Sequence, residues 1–270
     1  MLRKIRETST FIQAAIGVKP DAGIILGTGL GGLVNEIEIV QTLKYKDIPN
    51  FPVSTVEGHQ GQLIFGRLGG KNIMAMQGRF HFYEGYDLQA VTFPVRVMKE
   101  MGINNLFVSN ASGGLNPAFK IGDLMMIVDH INMFGTNPLI GPNANELGVR
   151  FPDMSQPYDS ELCALARTIA INNQIDLKEG VYIGVSGPTF ETPAEYRMFR
   201  ILGGDAIGMS TVPEVIVARH MGMRVFGISI ITDSGVPGEI VEISHEEVQH
   251  VARQAEPKMS KIIRELVSNL

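Results

Sequence analysis

The segment VFGISIITDSG (225–235) joins an apolar run to a carboxylate. The run from Phe226 to Ile231 is short and rich in isoleucine, which predicts a buried β-strand. Asp233 stands at the carboxyl end of that strand. Because ligands bind beyond the carboxyl ends of strands in open α/β sheets, we expect Asp233 to face a binding site. Whether this carboxyl group is charged decides what it can bind.

Seven other short apolar runs predict strands of the same kind, at 23–27, 62–68, 72–78, 106–110, 124–131, 181–187 and 205–210. Helical patterns lie between several of them, at 88–102, 159–173, 193–204, 213–222 and 245–270. Strands that alternate with helices indicate an α/β fold with a largely parallel sheet covered on both faces. Capping boxes are predicted at Thr192–Glu195, Thr211–Glu214 and Ser244–Glu247, and Pro257 is expected to kink or interrupt the last helix.

The composition fits one globular domain over residues 1–270. The chain has 270 residues, of which 44% are hydrophobic, and a net charge of −5 with scattered basic residues. We therefore expect no binding to nucleic acid or to a membrane surface. The single cysteine, Cys163, favours a reducing compartment, and no apolar run approaches the roughly 20 residues of a membrane span, so the expected location is the cytoplasm. The segment 135–157 is rich in proline and asparagine, which predicts a long surface excursion.

Polar residues follow the predicted strands at five places, namely Thr28, Asn110, Glu191, Ser210 and Asp233. In an open α/β sheet these positions meet along one edge. A composite site at that edge explains them better than five unrelated loop residues.

The segment GTGLGG (27–32) follows a predicted strand and matches the pattern G-x-G-x-x-G. A nicotinamide-dependent oxidoreductase is therefore one interpretation. That fingerprint also needs an acidic residue at the end of the next strand, and Asp47 lies instead in the proline-containing segment KYKDIPNFP. The more general interpretation is an anion cradle, in which backbone N–H groups and the Thr28 hydroxyl approach a phosphate.

The segment QGRFHFYEGY (77–86) places Arg79, His81 and Glu84 within six residues. Arg79 and His81 are suited to bind an anion, and Glu84 to set the tautomer or charge of His81. The structural alternative is a surface loop with an ordinary Arg–Glu pair. His59 lies in another glycine-flanked loop, EGHQG (57–61), and on its own is better explained as structural or solvated.

Two further segments are suited to a small planar ligand. NASGGLNP (110–117) is rich in small residues that let the backbone approach a ligand. GPTFETP (187–193) places Phe190 beside Glu191, so that an aromatic ring can stack on a planar base while a carboxylate accepts its N–H. The sequence contains no metal-binding motif, no G-x-S-x-G elbow and no Walker lysine.

Taken in order, these segments resemble the trimeric purine nucleoside phosphorylase family. The matching blocks extend from Gly23 to His250 and include GTGLGGL, EGHQGQLIFG, MQGRFHFYEGY, FPVRVMKEMG, NASGGLNP, GDLMMIVDHIN, NPLIGPN, RFPDMS, GPTFETPAE and GMSTVPEVIVARH. The resemblance implies a homotrimer whose protomer is a single α/β domain with a twisted mixed β-sheet flanked by helices. It implies reversible phosphorolysis of purine ribonucleosides or deoxyribonucleosides to the free base and a pentose 1-phosphate, without a cofactor, since inorganic phosphate is a co-substrate.

The resemblance also assigns roles by position. It implies phosphate contacts from Thr28, His59, Arg79, His81, the Ala111 backbone and Ser210. It implies sugar contacts from Tyr83, Met209 and His245, the last near the 5′-hydroxyl, and base contacts from Phe190, Glu191 and Asp233. Phe151 matches an aromatic residue that family members lend to the neighbouring subunit's site. The candidate catalytic residues are His81, Glu84 and Asp233.

The sequence departs from part of the family at the base contacts. Members restricted to 6-oxopurines usually have Asn in place of Asp233, whereas methylthioadenosine phosphorylases have Asp there but lack a Glu at position 191. An ionised Glu191 accepts the N1–H of hypoxanthine or guanine, and a protonated Asp233 donates to O6. Burial and the nearby Glu191 are expected to raise the pKa of Asp233 and favour its neutral form. We therefore expect guanosine and inosine as main substrates, with measurable cleavage of adenosine.

Three alternatives remain open on the sequence. A 5′-methylthioadenosine phosphorylase is favoured by Thr28 and Asp233 and opposed by Glu191 and His245. A nicotinamide-dependent oxidoreductase rests on GTGLGG alone. A nucleoside-binding homologue without catalysis is opposed by the Arg, His and hydroxyl side chains at the expected phosphate positions.

Overall fold

Nine strands form one sheet in the computed structural model, which describes residues 1–28, 30–53 and 60–270. Their bounds are β1 Ala22–Leu26, β2 Glu38–Lys44, β3 Gln62–Leu68, β4 Lys71–Gln77, β5 Asn105–Gly114, β6 Leu124–Met133, β7 Leu177–Val185, β8 Ala206–Gly208 and β9 Arg224–Ser234. Eight of these strands overlap the predicted apolar runs. β2 was not predicted, because its side chains are mostly exposed and it lacks a buried apolar run.

The sheet is mixed, and the strands run in the order β2-β3-β4-β1-β5-β8-β7-β6-β9 with a further pairing between β5 and β9. That pairing closes the last five strands into a ring. Antiparallel pairs join β2 to β3, β3 to β4, β5 to β8 and β6 to β9, and the other pairs are parallel. The mixed α/β sheet is confirmed, whereas the largely parallel sheet that strand–helix alternation predicted is not.

Seven α-helices pack around the sheet in the described part of the chain. They are α1 Leu2–Ile16, α2 Leu88–Val91, α3 Phe93–Glu100, α4 Ser160–Asn172, α5 Pro193–Ile201, α6 Val212–His220 and α7 His245–Ser268. None of the described helices is both long enough and apolar enough to cross a membrane. The excursion at 135–157 contains neither helix nor strand.

Two of the three predicted capping boxes are present, at Thr192–Glu195 and Ser244–Glu247. The third is wrong. Thr211 has φ of 68° and makes no side-chain cap, and the Glu214 carboxylate is bonded elsewhere. Pro257 lies inside α7 without interrupting it, so that prediction is also wrong in its stronger form. The missing N–H of Pro257 removes one hydrogen bond from a helix of 24 residues.

The central pair of strands, β5 and β9, brings the polar segments together. Both strands are almost completely buried, and their parallel register sets Asn105 opposite Arg224 and Gly113 opposite Asp233. The carboxyl ends of both strands therefore lie side by side. The register shifts between Ser112 and Gly113, so this end of the pair is locally irregular where the polar residues lie.

Candidate functional site

A cavity of about 450 Å³ lies at the carboxyl ends of β5, β8 and β9. It is lined by Thr28, Arg79, His81, Tyr83, Glu84, Asn110, Ala111, Ser112, Gly113, Pro188, Phe190, Glu191, Ile207, Gly208, Met209, Ser210, Thr232, Asp233, His245 and Val248. All the predicted site residues are among them except His59 and Phe151. His59 lies outside the described residues. Phe151 does not line the cavity and is 87% exposed.

Arg79 lines the cavity, yet its side chain is almost fully buried, with 1% of its surface exposed. Hydrogen bonds hold its guanidinium in place. Its Nε donates to Glu214 Oε1 at 2.9 Å, and its Nη1 donates to the Ser109 carbonyl oxygen at 2.6 Å and to Ser210 Oγ at 3.3 Å. A guanidinium presents several N–H donors in a fixed planar fork. Arg79 therefore provides a fixed positive charge next to a serine hydroxyl, which suits the binding of an anion.

His81 and Glu84 contact each other as the sequence predicted. Glu84 Oε1 accepts from the His81 backbone N–H at 2.7 Å and lies 3.2 Å from His81 Nδ1. The pKa of His81 is lowered, because burial favours the neutral ring more than Glu84 favours the charged one. A neutral ring whose Nδ1–H faces Glu84 presents Nε2 as an acceptor, and a protonated ring would present a donor there.

A buried chain of hydrogen bonds supports Ser210. Ser229 Oγ donates to Asn110 Oδ1 at 2.7 Å, and Asn110 Nδ2 donates to Thr211 Oγ1 at 2.8 Å. Thr211 adopts a positive φ that β-branched residues rarely adopt. Such a conformation is kept only where the surroundings enforce it. The surroundings here fix the turn that presents Ser210 to the cavity.

The space for Asp233 comes from a glycine on the paired strand. A Cβ atom on Gly113 would lie 2.9 Å from Asp233 Oδ2. Asp233 is 8% exposed, and its two oxygens accept from Thr232 Oγ1 at 2.9 Å and from the Tyr196 hydroxyl at 3.4 Å. Asp233 is the last residue but one of β9 rather than the first residue after it. Gly113 in NASGG thus leaves room for the Asp233 carboxyl group.

Glu191 and Asp233 share Tyr196 as a hydrogen-bonding neighbour. Burial raises the pKa of Glu191 to about 7, and the charge of Asp233 contributes to that rise. Burial also raises the pKa of Asp233, against the bonds from Thr232 and Tyr196 that lower it. Two carboxyl groups whose pKa values are both raised can retain a proton between them near neutral pH.

The remaining cavity residues come from the segments that flank this pair. Phe190 precedes Glu191, and Met209 precedes Ser210 after β8. His245 is the first residue of α7, and Val248 follows it by one turn. Tyr83 stacks on His81 with ring centroids 4.7 Å apart. The cavity therefore combines an aromatic and apolar surface with two sets of polar groups.

Sequence reasoning missed Glu214 and Tyr196. The sequence places Glu214 in a predicted capping box, and Tyr196 only within the predicted helix at 193–204. A signal for Glu214 existed, since a carboxylate within the apolar run VPEVIVA needs a buried partner. Within the described ranges, no group of three or more His, Cys, Asp or Glu side chains could hold a metal ion.

Comparisons with known proteins agree on one group of relatives. Residues 21–268 match the phosphorylase superfamily. Purine nucleoside phosphorylase 1 of Bacillus subtilis (strain 168) is 53% identical over 268 residues, with 99% of each chain covered. Purine nucleoside phosphorylase of Bos taurus is 48% identical, with 98% of this chain and 94% of the relative covered.

Solved structures show the same likeness. Purine nucleoside phosphorylase of Schistosoma mansoni in complex with adenosine superposes with a TM-score of 0.95 at 41% identity, covering 100% of this chain and 98% of that one. The Schistosoma enzyme in complex with hypoxanthine gives a TM-score of 0.94 at 40% identity, with the same coverage.

Proposed function

The chain belongs to the purine nucleoside phosphorylase family, and on that premise we propose that it cleaves purine ribonucleosides and deoxyribonucleosides with inorganic phosphate. The reaction is reversible and yields the free purine base and a pentose 1-phosphate. The observation that carries the proposal is one cavity lined both by an anion-binding set, Arg79, His81 and Ser210, and by a carboxyl pair, Glu191 and Asp233.

In the proposed reaction, phosphate binds beneath C1′ of the sugar. It is held there by Arg79, His81, Ser210, Thr28 and the Ala111 backbone. As the glycosidic bond breaks, positive charge builds on the sugar and negative charge on the departing purine. The bound phosphate stabilises the sugar cation and then bonds to C1′. The neutral His81, oriented by Glu84, accepts a hydrogen bond from a protonated phosphate oxygen.

The remaining contacts orient the nucleoside. Phe190 stacks on the base, while Tyr83 and Met209 contact the sugar. His245 reaches the 5′-hydroxyl, a role supported by its place at the start of α7 on the cavity wall. Inorganic phosphate is a co-substrate, and the proposed reaction uses no cofactor.

The carboxyl pair of Glu191 and Asp233 can bind either class of base, depending on which of the two groups carries a single proton. With a 6-oxopurine, an ionised Glu191 accepts N1–H while a protonated Asp233 donates to O6. With adenine the pattern reverses, because N1 is an acceptor and the 6-amino group a donor. Glu191 then carries the proton, and Asp233 is ionised. One retained proton therefore serves both classes of base.

Oxopurines are nevertheless the expected main substrates. The 2-amino group of guanine gives an ionised Glu191 a second donor, and a protonated Asp233 can pass its proton to N7 of the leaving base as a general acid. Adenosine requires the proton on Glu191, away from the leaving group. We expect guanosine and inosine to be cleaved fastest and adenosine measurably.

We also propose that one phosphorylase domain spans residues 1–270 and assembles as a homotrimer in the cytoplasm. Phe151 would complete the site of the neighbouring subunit. Its 87% exposure and its position in the excursion at 135–157 support this role, since an exposed aromatic side chain is suited to an interface.

A phosphate-dependent cleavage assay across inosine, guanosine, adenosine and 5′-methylthioadenosine tests the proposal. We expect release of base only with phosphate present, with inosine and guanosine ahead of adenosine. Faster cleavage of methylthioadenosine would favour the methylthioadenosine phosphorylase alternative. Phosphate-independent absorbance change with a nicotinamide cofactor would instead favour the oxidoreductase.

A further inference from the structure

Helix α7 carries a buried carboxyl group that neither the proposed phosphate contacts nor the base contacts use. Glu256 is 6% exposed, and its Oε1 accepts from the Leu33 backbone N–H at 3.0 Å. The Gly32 backbone N–H is a second donor to the same carboxyl group. The contact with Leu33 joins residues 223 positions apart in the chain.

The fit between Glu256 and Gly32 is tight. A Cβ atom on Gly32 would lie 2.4 Å from Glu256 Oε2 and 2.8 Å from its Cδ. The φ angle of Gly32 is not positive, so the backbone conformation does not by itself require glycine there. A side chain at position 32 would therefore have to displace the Glu256 carboxyl group.

This contact changes the interpretation of GTGLGG (27–32). Backbone amides in such a loop are available to an anion, but those of Gly32 and Leu33 already bind a carboxyl group of the chain itself. The other end of the segment reaches the cavity through Thr28. Gly27 is packed against β5, where a Cβ atom would lie 2.7 Å from the Ser109 carbonyl oxygen. Gly27 is thus held against β5, and Gly32 and Leu33 are held against Glu256.

The same helix reaches the cavity at its first turn, through His245 and Val248. Glu256 lies 11 residues after His245 in one continuous helix. The helix therefore contacts the expected nucleoside site at one end and the expected phosphate loop near its middle. Glu36 is the charged neighbour of Glu256, and Arg264 of α7 pairs with Glu36 at 2.8 Å.

We propose that Glu256 is a positioning residue, which holds the Gly32–Leu33 end of the loop against α7 and so sets Thr28 for phosphate. The proposal rests on the proposed phosphorolysis. Glu256 does not touch the substrates, and its effect reaches phosphate through the loop. Loss of the contact is therefore expected to weaken phosphate binding more than nucleoside binding.

The experiment measures KM for phosphate and for inosine in Glu256→Ala, Glu256→Gln and Gly32→Ala. We expect phosphate KM to rise about tenfold in Glu256→Ala, which leaves the Leu33 backbone N–H without its acceptor, and less in Glu256→Gln, which keeps an acceptor. Gly32→Ala displaces the Glu256 carboxyl group and should raise phosphate KM by an amount similar to that in Glu256→Ala. The inosine KM should change less than about threefold in each variant.

Ser260→Ala is the matched control, since Ser260 is a buried polar residue one turn further along α7. It should leave phosphate KM unchanged. Combining Gly32→Ala with Glu256→Ala should add little to Glu256→Ala alone, because both substitutions remove one contact.

The outcomes separate the two proposals. If the parent protein consumes no phosphate, the proposed function fails. If the parent is active and the Glu256 and Gly32 variants keep the parent phosphate KM, or change both KM values equally, the positioning role is overturned. If Glu256→Ala does not fold, Glu256→Gln and Gly32→Ala decide the same question.

Discussion

Arg79 and Glu214 form a buried ion pair, in which Nε donates to Oε1 at 2.9 Å while the two side chains are 1% and 3% exposed. Arg79 extends from the segment after β4, and Glu214 from the first turn of α6. The pair therefore connects two separate elements at the cavity wall. Its geometry fixes the direction in which the guanidinium faces Ser210.

Replacement of Glu214 tests this pair. Removing one partner of a buried pair leaves an uncompensated charge and typically costs about 3–5 kcal/mol, so Glu214→Ala is expected to lower the free energy of unfolding strongly. Glu214→Gln keeps the shape but loses the charge, and we expect it to fold with a phosphate KM raised roughly tenfold. Chemical denaturation and steady-state kinetics measure the two effects.

Glu161→Gln is the matched control. Glu161 accepts from Arg224 at 2.7 Å, but it is 84% exposed, and exposed ion pairs contribute little. The control should change neither stability nor phosphate KM. Unchanged phosphate KM in Glu214→Gln as well would show that the ion pair does not orient Arg79 for the reaction.

The second prediction concerns the proton held by Glu191 and Asp233. The pKa of Glu191 is raised to about 7, so the parent pair loses its last proton as the pH rises above neutrality. The form of the pair that retains one proton is active towards inosine. The value of kcat/KM for inosine should therefore fall as the pH rises above neutrality. In Asp233→Asn the amide donates to O6 without a proton from solution, and Glu191 is active only when ionised.

Asp233→Asn should consequently lose the alkaline fall while its inosine activity rises as the pH increases through the Glu191 pKa. Adenosine cleavage should drop about tenfold, because a neutral amide oxygen is a weaker acceptor for the 6-amino group than the ionised Asp233 carboxylate. Phosphate and His81 titrate in both proteins, so the difference between the two pH profiles isolates the pair. Identical profiles for parent and variant would remove the shared-proton hypothesis.

A third prediction follows from the Tyr196 hydroxyl, which donates to Asp233 Oδ2 at 3.4 Å and lowers the pKa of Asp233. In Tyr196→Phe that donor is lost, and the ionised pair becomes less stable. The alkaline fall in kcat/KM for inosine should move up by about half to one pH unit, the equivalent of one ordinary hydrogen bond.

Tyr158→Phe serves as the control, because Tyr158 is a buried tyrosine whose hydroxyl lies 3.2 Å from His130 Nδ1, away from the carboxyl pair. Its pH profile should match that of the parent. A downward shift in Tyr196→Phe, or an equal shift in both variants, would contradict the assigned role of Tyr196.

The strands that carry the site were predictable because their sequence signals are strong. The run before Asp233 is dominated by Val, Phe and Ile, and β9 is buried except at its two ends. The prediction that Asp233 lies at the carboxyl edge therefore agrees with the structure. The ring closure by β5 and β9 was not predictable, because hydrophobic periodicity specifies burial but not which strands pair.

The partners of buried charges were harder to predict than the charges themselves. Thr211–Glu214 has the spacing of a capping box, yet Glu214 bonds to Arg79, 135 residues earlier in the chain. Glu256 likewise bonds to Leu33 at a separation of 223 residues. The distant partner is an opposite charge for Glu214 and a backbone N–H group for Glu256, and in both cases only the tertiary fold brings it within reach.

The last prediction concerns Phe151, which is 87% exposed and lies outside the cavity of its own subunit. If it completes a neighbouring site, Phe151→Ala should raise the nucleoside KM about tenfold or more through lost aromatic contact, with phosphate KM little changed. Ile201→Ala is the control, since Ile201 is 85% exposed on α5.

Mixed oligomers distinguish a lent side chain from an effect within one subunit. Phe151→Ala subunits have intact cavities but lend nothing, whereas His81→Ala subunits have a damaged cavity and still lend Phe151. Co-assembly of the two should therefore restore a nucleoside KM close to that of the parent in a fraction of the sites. Because each homogeneous variant is impaired, the restored activity can come only from sites shared between subunits. Absence of restoration in oligomers shown by mass to be mixed would mean that Phe151 acts within its own chain, or has no part in the site.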